Sequence, residues 1–122
     1  MALKYFLTAA FLAASVAPAL ADQCSEPIPP TAVDGNTATK EQMTQARDDT
    51  VHFIKASDDY QSCLYADLKM QKLEAVKNKK TFASSIEDGV NKKVQDNQTE
   101  KEKVGGEYNA AAILYKKKHP GG

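Results

Sequence analysis

Among its 122 residues the sequence has no tryptophan, two cysteines and two histidines. If the two cysteines pair with each other, too few ligands remain for a structural zinc or haem site, so we predict no metal and no cofactor. Acidic residues come in adjacent pairs, such as Asp48-Asp49 and Asp58-Asp59. Adjacent side chains point about 100° apart on a helix, so these carboxylates do not converge for acid-base catalysis. The chain is therefore predicted not to be an enzyme.

An excess of charge of one sign is also missing, because 16 lysines and arginines balance 16 aspartates and glutamates. This balance gives neither a phosphate-binding surface nor an acidic tail, so nucleic acid is not an expected partner. Beyond the N terminus, bulky apolar residues fall in narrow stripes with lysines on all sides. That pattern disfavours a helix lying on a membrane surface.

One long apolar run exists, and it lies at the N terminus. Lys4 precedes an apolar stretch over residues 5 to 16, and small residues follow at Ala19 and Ala21. This order is typical of a secretory signal peptide, and about 12 apolar residues are too few to span a bilayer. We expect residues 1 to 21 to be removed on export, which leaves a periplasmic or secreted chain without a membrane anchor.

Proline is concentrated in the next segment, residues 22 to 38, which also contains the turn sequence Asp34-Gly35-Asn36. Its prolines are Pro27, Pro29 and Pro30. Prolines and turn residues at this density favour an extended conformation over a helix. We therefore predict an extended N-terminal arm.

Two cysteines remain after export, Cys24 in the arm and Cys63 beyond it. Exported proteins meet oxidising conditions, so we predict a disulfide between these two residues. The helical distance from Thr39 to Cys63 is about 36 Å, and the extended chain from Cys24 to Thr39 reaches about 50 Å. The arm must therefore run back along the first helix, with Ile28 and Val33 as its expected apolar contacts.

Neither proline nor glycine occurs between residues 39 and 77, where apolar residues recur at spacings near three and four. Both features are typical of a long amphipathic helix. Thr39 and Gln42 have the spacing of a capping box, which places the start of this helix at residue 39. Residues 78 to 81 lack an apolar member and break the pattern, so a turn is expected there.

A sustained heptad pattern begins at Phe82 and predicts a second helix, of coiled-coil type, over residues 84 to 118. Ser84 and Glu87 have capping-box spacing at its start. Three lysines near its end favour a helix C-terminus, because positive charge compensates the helix dipole there. Residues 119 to 122 are expected to form a disordered tail.

Two helices of similar length joined by a short turn predict an all-α fold. We expect an antiparallel helical hairpin over residues 39 to 118, onto which the disulfide clasps the arm. A turn near residue 80 pairs positions whose numbers sum to about 161, and Asn97 is expected to hydrogen-bond the arm backbone. The predicted core residues are Phe53, Tyr60, Leu64, Val94, Asn97, Val104, Tyr108 and Tyr115.

Gly89 and the pair Gly105-Gly106 fall inside the second helix, where each glycine costs about 1 kcal/mol relative to alanine. Two explanations stay open at this point. Either the glycines allow a neighbouring backbone to approach closely, or they end the helix near residue 105 and a third, short helix follows. We prefer one kinked helix.

Several short motifs extend over most of the mature chain: Cys24, Pro27, Pro30, Gly35, the segment 56 to 64 and the run DNQTEKEKVGGEYNAAAILYKKKHP. In this combination the chain resembles a group of small exported bacterial helical proteins that is functionally uncharacterised. Its members have an early Cys-x-x-Pro arm and a second Cys-Leu on the first helix. The resemblance implies a bacterial periplasmic or secreted location, and it implies no catalytic residue.

These observations favour a non-enzymatic protein of the cell envelope that acts through its surface on an unknown envelope or extracellular protein. It is expected to be a monomer or a homodimer. The alternative is a small-ligand or peptide binder that forms when two hairpins dimerise into a helical bundle.

Overall fold

The computed structural model describes residues 24 to 121. Over this range the chain forms two helices and no strand, with α1 spanning Lys40–Lys77 and α2 spanning Ser84–Lys118. The helices pack side by side in opposite directions, so the predicted all-α antiparallel hairpin is confirmed. The expected signal peptide lies outside the described residues. Within them, no helix has the length and apolar character needed to cross a membrane.

The first helix begins and ends where the sequence predicts. The Thr39 hydroxyl accepts a hydrogen bond of 3.1 Å from the Gln42 backbone amide, and the Gln42 side chain accepts one of 2.8 Å from the Thr39 amide. This reciprocal pair is the predicted capping box. After Lys77 the chain turns through Lys79, whose φ of 54° is left-handed.

The second capping box was predicted wrongly. Ala83 is the residue that precedes α2, and no side chain caps the helix, because Ser84 already lies inside its first turn. The chain stays extended up to this point while Phe82 is half-buried beside α1, where the ammonium of Lys72 lies 5.8 Å from the centre of its ring. Packing of Phe82 against α1 therefore sets the start of α2, and the serine plays no part in it.

His119 caps the C-terminal end of α2, although it was predicted to belong to the disordered tail. The backbone amide of His119 donates a hydrogen bond of 3.0 Å to the carbonyl of Tyr115. Its ring stacks on the Tyr115 ring with 4.2 Å between the centroids. His119 thus belongs structurally to the helix end.

The core is a single narrow seam between the helices. Of the predicted core residues, five are buried: Phe53, Tyr60, Leu64, Asn97 and Val104. The other three are half-buried: Val94, Tyr108 and Tyr115. Positions spaced by three and four on each helix thus meet along one line, as amphipathic helices require. A two-helix hairpin has no other enclosed space.

The predicted register of the hairpin was wrong by about two residues. The residue numbers of each ion pair, Lys72–Glu87 and Asp58–Lys101, sum to 159, whereas a sum of about 161 was expected. Residues 80 to 83 belong to neither helix, Ala83 is extended, and α2 starts level with residue 75. Each extended residue advances about twice as far as a helical one, so a register predicted from a symmetric turn is shifted.

The glycines of α2 neither break the helix nor admit a neighbouring backbone. The helix continues without interruption through Gly105-Gly106, so the third helix does not form. A Cβ atom built at Gly89, Gly105 or Gly106 would have nothing within 4 Å. Nothing in the packing of one chain explains why glycine stands at these positions.

Candidate interaction surface

The arm is fixed to the hairpin by the predicted disulfide. Cys24 and Cys63 are bonded, their Cα atoms lie 5.7 Å apart, and they are 39 positions apart in sequence. Both cysteines of the chain are used in this bond. A nucleophilic or metal-binding role for either cysteine thiol is therefore excluded while the bond is intact.

The arm contacts the hairpin with every third residue. Cys24, Pro27, Pro30 and Val33 are half-buried, whereas the two residues between each of them are exposed. Polyproline II has three residues per turn, so one of its three faces lies on the hairpin. The expectation for Ile28 was wrong: its side chain is 89% exposed, because it lies on an outer face of the arm. Pro27 and Pro30 make the inward contacts instead.

The dimensions of the arm match those of the helix beneath it. From Cys24 to Val33 a polyproline II segment rises about 28 Å at 3.1 Å per residue. From Cys63 back to Ala46, which lines the same cleft as Val33, α1 covers about 26 Å at 1.5 Å per residue. One turn of the arm therefore spans about six residues of α1.

A close approach at Gly35 holds the other end of the arm. A Cβ atom built at Gly35 would lie 2.0 Å from the carbonyl oxygen of Ala111, so only glycine fits between the arm and α2. The turn around it is closed by Asp34, whose backbone carbonyl accepts from Ala38 at 2.9 Å and whose carboxylate accepts from the Asn36 amide at 2.9 Å. Ala38 and Ala111 are buried together with Met43 directly below.

Tyr60 is buried in the seam, and the arm carries an acidic residue near it. Burial raises the pKa of the Tyr60 phenol above its ordinary value, and the charge of Glu26 on the arm raises this pKa further. Both effects disfavour the phenolate in the folded protein. This link between the arm and the core was not predicted from the sequence.

The centre of the seam is polar. Asn97 is only 3% exposed; its amide nitrogen donates to the Ser57 hydroxyl at 3.3 Å, and its amide oxygen accepts from Gln61 at 2.9 Å. The expected hydrogen bond from Asn97 to the arm backbone was wrong, since both partners belong to α1.

The hairpin has two faces, which can be named from positions on the helices. On α1 each residue that precedes a buried one turns towards the arm, as Cys63 does before Leu64, Ala56 before Ser57 and Asp49 before Thr50. Each residue that follows a buried one lies about 200° away, on the opposite side. We call this opposite side the uncovered face. It comprises Val51, Ile54, Asp58, Gln61, Tyr65, Lys69, Leu73 and Val76 of α1, and Gln98, Gly105 and Ala112 of α2.

Polar contacts cross the middle of the uncovered face. Lys101 forms an ion pair with Asp58, and the amide nitrogen of Gln61 lies 3.3 Å from the side-chain oxygen of Gln98. Nearer the turn, Lys72 pairs with Glu87 at 2.8 Å. These contacts join α1 to α2 on the side where no arm is present.

Beyond the Asp58–Lys101 and Gln61–Gln98 contacts, towards the turn, the uncovered face becomes apolar. Tyr65, Leu73 and Val76 are 49%, 55% and 76% exposed. They surround a shallow groove with buried Leu68 in its lining and Lys69, Lys72, Glu87 and Asn91 beside it. Tyr65, Lys69, Lys72 and Val76 share this side of α1, with the heptad spacing of four, three and four.

The two histidines are remote from each other. His52 lines a cleft between α1 and the arm, and His119 stacks on Tyr115. Within residues 24 to 121 no group of histidine, cysteine, aspartate and glutamate has the arrangement of a metal site. The surface that distinguishes this molecule is therefore the uncovered face.

No protein-family model, no curated protein and no solved structure matches the chain. The resemblance to exported bacterial proteins stays a prediction.

Proposed function

We propose that this protein is an exported, non-enzymatic interaction module of the cell envelope, which binds a protein through its uncovered face. One observation carries the proposal. The arm covers one side of the hairpin, while Tyr65, Leu73 and Val76 stay exposed around a groove on the other side. Contiguous exposed apolar residues with charged residues at their edge are typical of protein-binding sites.

Two structural features support the exported location. The Cys24–Cys63 disulfide fits an oxidising compartment, and the arm that it holds follows directly on the predicted signal peptide. The mature protein isolated from the envelope fraction should have the mass of a chain that begins at Asp22, less 2 Da for the disulfide. A chain that keeps residues 1 to 21, or that is recovered from the cytoplasm with free thiols, contradicts export.

The binding role is tested by photocrosslinking in the cell. A photoreactive amino acid replaces Leu73 on the uncovered face and, in a matched control, Ile28 on the outer face of the arm. Both side chains are exposed, so each variant should fold. We expect a protein adduct from position 73 and none from position 28. Adducts of equal yield at both positions, or none at position 73, overturn the proposed site.

A further inference from the structure

The uncovered face has features that fit one occupant, a second copy of this chain. The face runs the length of the hairpin, about 55 Å, and is two helices wide, so its area is on the order of 1,000 Å². A stable interface needs about 800 Å² from each partner. One hairpin therefore offers enough surface, although each of its helices alone does not.

The two helices contribute different side chains to this face. The α1 side carries bulky residues, among them Val51, which is 61% exposed, and half-buried Ile54. The α2 side carries Gln98, Gly105 and Ala112. Val51 and Ile54 of one copy pack over the small residues Gly105 and Ala112 of the other when α1 of one copy lies over α2 of the next.

A two-fold axis parallel to the hairpin produces this arrangement. Rotation about that axis exchanges the sides of the hairpin and keeps every residue at its own height. Residues at one height have numbers that sum to about 159, as Lys72–Glu87 and Asp58–Lys101 show. Ile54 of one copy therefore meets Gly105 of the other, where a Cβ atom would find nothing within 4 Å.

Charge is complementary in the same arrangement. The turn end of α1 carries Lys69 and Lys72, and the matching part of α2 carries Glu87 and Asp88. Lys72 and Glu87 pair with each other within one chain, so the charges left to face the partner copy are Lys69 and Asp88, which have opposite signs.

We infer that two copies of this chain associate through their uncovered faces into a four-helix bundle, with Val51 and Ile54 of each copy packed over Gly105 of the other. The inference rests on the proposed function, because it names the protein that occupies the same face. It also supplies a reason for glycine at position 105, where the absence of a side chain lets a helix of the partner approach closely.

Sedimentation equilibrium of the oxidised mature protein at micromolar concentrations tests the inference. We expect a dimer for the wild type. Gly105→Leu should raise the dissociation constant at least about 30-fold, because a two-fold dimer contains the obstructing side chain twice. Val51→Lys should act in the same direction, since it places a charge in the apolar contact.

Gly89→Leu is the matched control. Gly89 is also an open position on α2, but it precedes half-buried Val90 and so lies on the side of the arm. We expect Gly89→Leu to leave the dissociation constant unchanged. Circular dichroism should show both leucine variants to be as helical as the wild type, because neither side chain meets an obstacle within one chain.

A wild type that is monomeric over the whole range overturns the second copy as the partner. The same holds for a dimer that Gly105→Leu and Val51→Lys leave intact. Neither result removes the proposed function, which fails if position 73 gives no adduct in the cell or gives no more than position 28. An adduct at position 73 with the mass of two copies supports both, and an adduct with a different protein supports the proposed function alone.

Discussion

Cys63 and Tyr65 are two positions apart on α1, yet they lie on opposite sides of the hairpin. Cys63 is bonded to the arm, which follows α1 for about 26 Å and brings Pro27, Pro30 and Val33 against it. Tyr65 is 49% exposed beside an open groove. Fifteen residues, from Cys24 to Ala38, thus cover one side of a thin core, and the other side stays exposed.

This difference shows which contacts hold the fold and which are free for a partner. A two-helix hairpin buries little apolar surface, so a covering segment and a covalent bond contribute much of its stability. The covered side should therefore be sensitive to substitution. The uncovered side should tolerate substitution as far as folding is concerned.

The largest expected effect comes from removing the disulfide. Cys24→Ser with Cys63→Ser should lower the free energy of unfolding by about 4 kcal/mol, the chain-entropy value for a loop of about 40 residues. Urea denaturation of the oxidised wild type and the double variant measures it. A loss below about 1 kcal/mol would mean that the prolines and Gly35 hold the arm without the bond, and that the two sides differ less than proposed.

Gly35→Ala is expected to be the next most damaging change. The added methyl group would lie 2.0 Å from the carbonyl oxygen of Ala111, so the arm must move away from α2 at a cost of about 3 kcal/mol. Gly89→Ala is the matched control and should stabilise the protein by about 1 kcal/mol, since it improves helix propensity and meets nothing. Equal effects of the two alanines would contradict a close approach at Gly35.

Much of the fold was predictable because it depends on local patterns. The capping box at Thr39 and the end of α1 at Lys77 were predicted from spacing, the disulfide from the presence of two cysteines in an exported chain, and the structure has all of them. Val33 was predicted as an inward residue of the arm, but the register, the inward positions of Pro27 and Pro30, and the role of Gly35 were not. They depend on the relative rise of extended and helical chain and on a contact between segments that are 76 positions apart in sequence, which no local pattern contains.

The candidate surface was only partly predictable for the same reason. The heptad that includes Val76 is visible in the sequence, but a single chain does not show which of two adjacent seams its partner helix will fill. The structure assigns the first seam to α2 and the flank on one side to the arm. The side of α1 that carries Tyr65 and Val76 stays exposed, because the arm covers the opposite side.

A pH titration of stability tests whether the arm acts on the core through Tyr60. Because the pKa of its phenol is raised in the folded state, its contribution to stability is fully present below the unfolded pKa, about 10, and is lost as the pH rises through the folded value. We expect the urea midpoint to fall above about pH 10. Tyr60→Phe should remove the part of this fall that Tyr60 causes, and Glu26→Gln should reduce it. A Glu26→Gln profile identical to that of the wild type would show that the arm does not act on Tyr60.

The smallest expected effect is on the uncovered face and is the sharpest test of the comparison. Leu68→Ala and Leu73→Ala remove the same atoms from the same helix, but Leu68 is buried in the seam and Leu73 is 55% exposed. Leu68→Ala should cost about 3 kcal/mol, and Leu73→Ala should change stability by no more than about 0.5 kcal/mol in dilute samples. If Leu73→Ala is as costly as Leu68→Ala, the groove is part of the core and is not free for a partner. A near-neutral result means that a large apolar side chain is kept on the surface for a reason other than the stability of one chain.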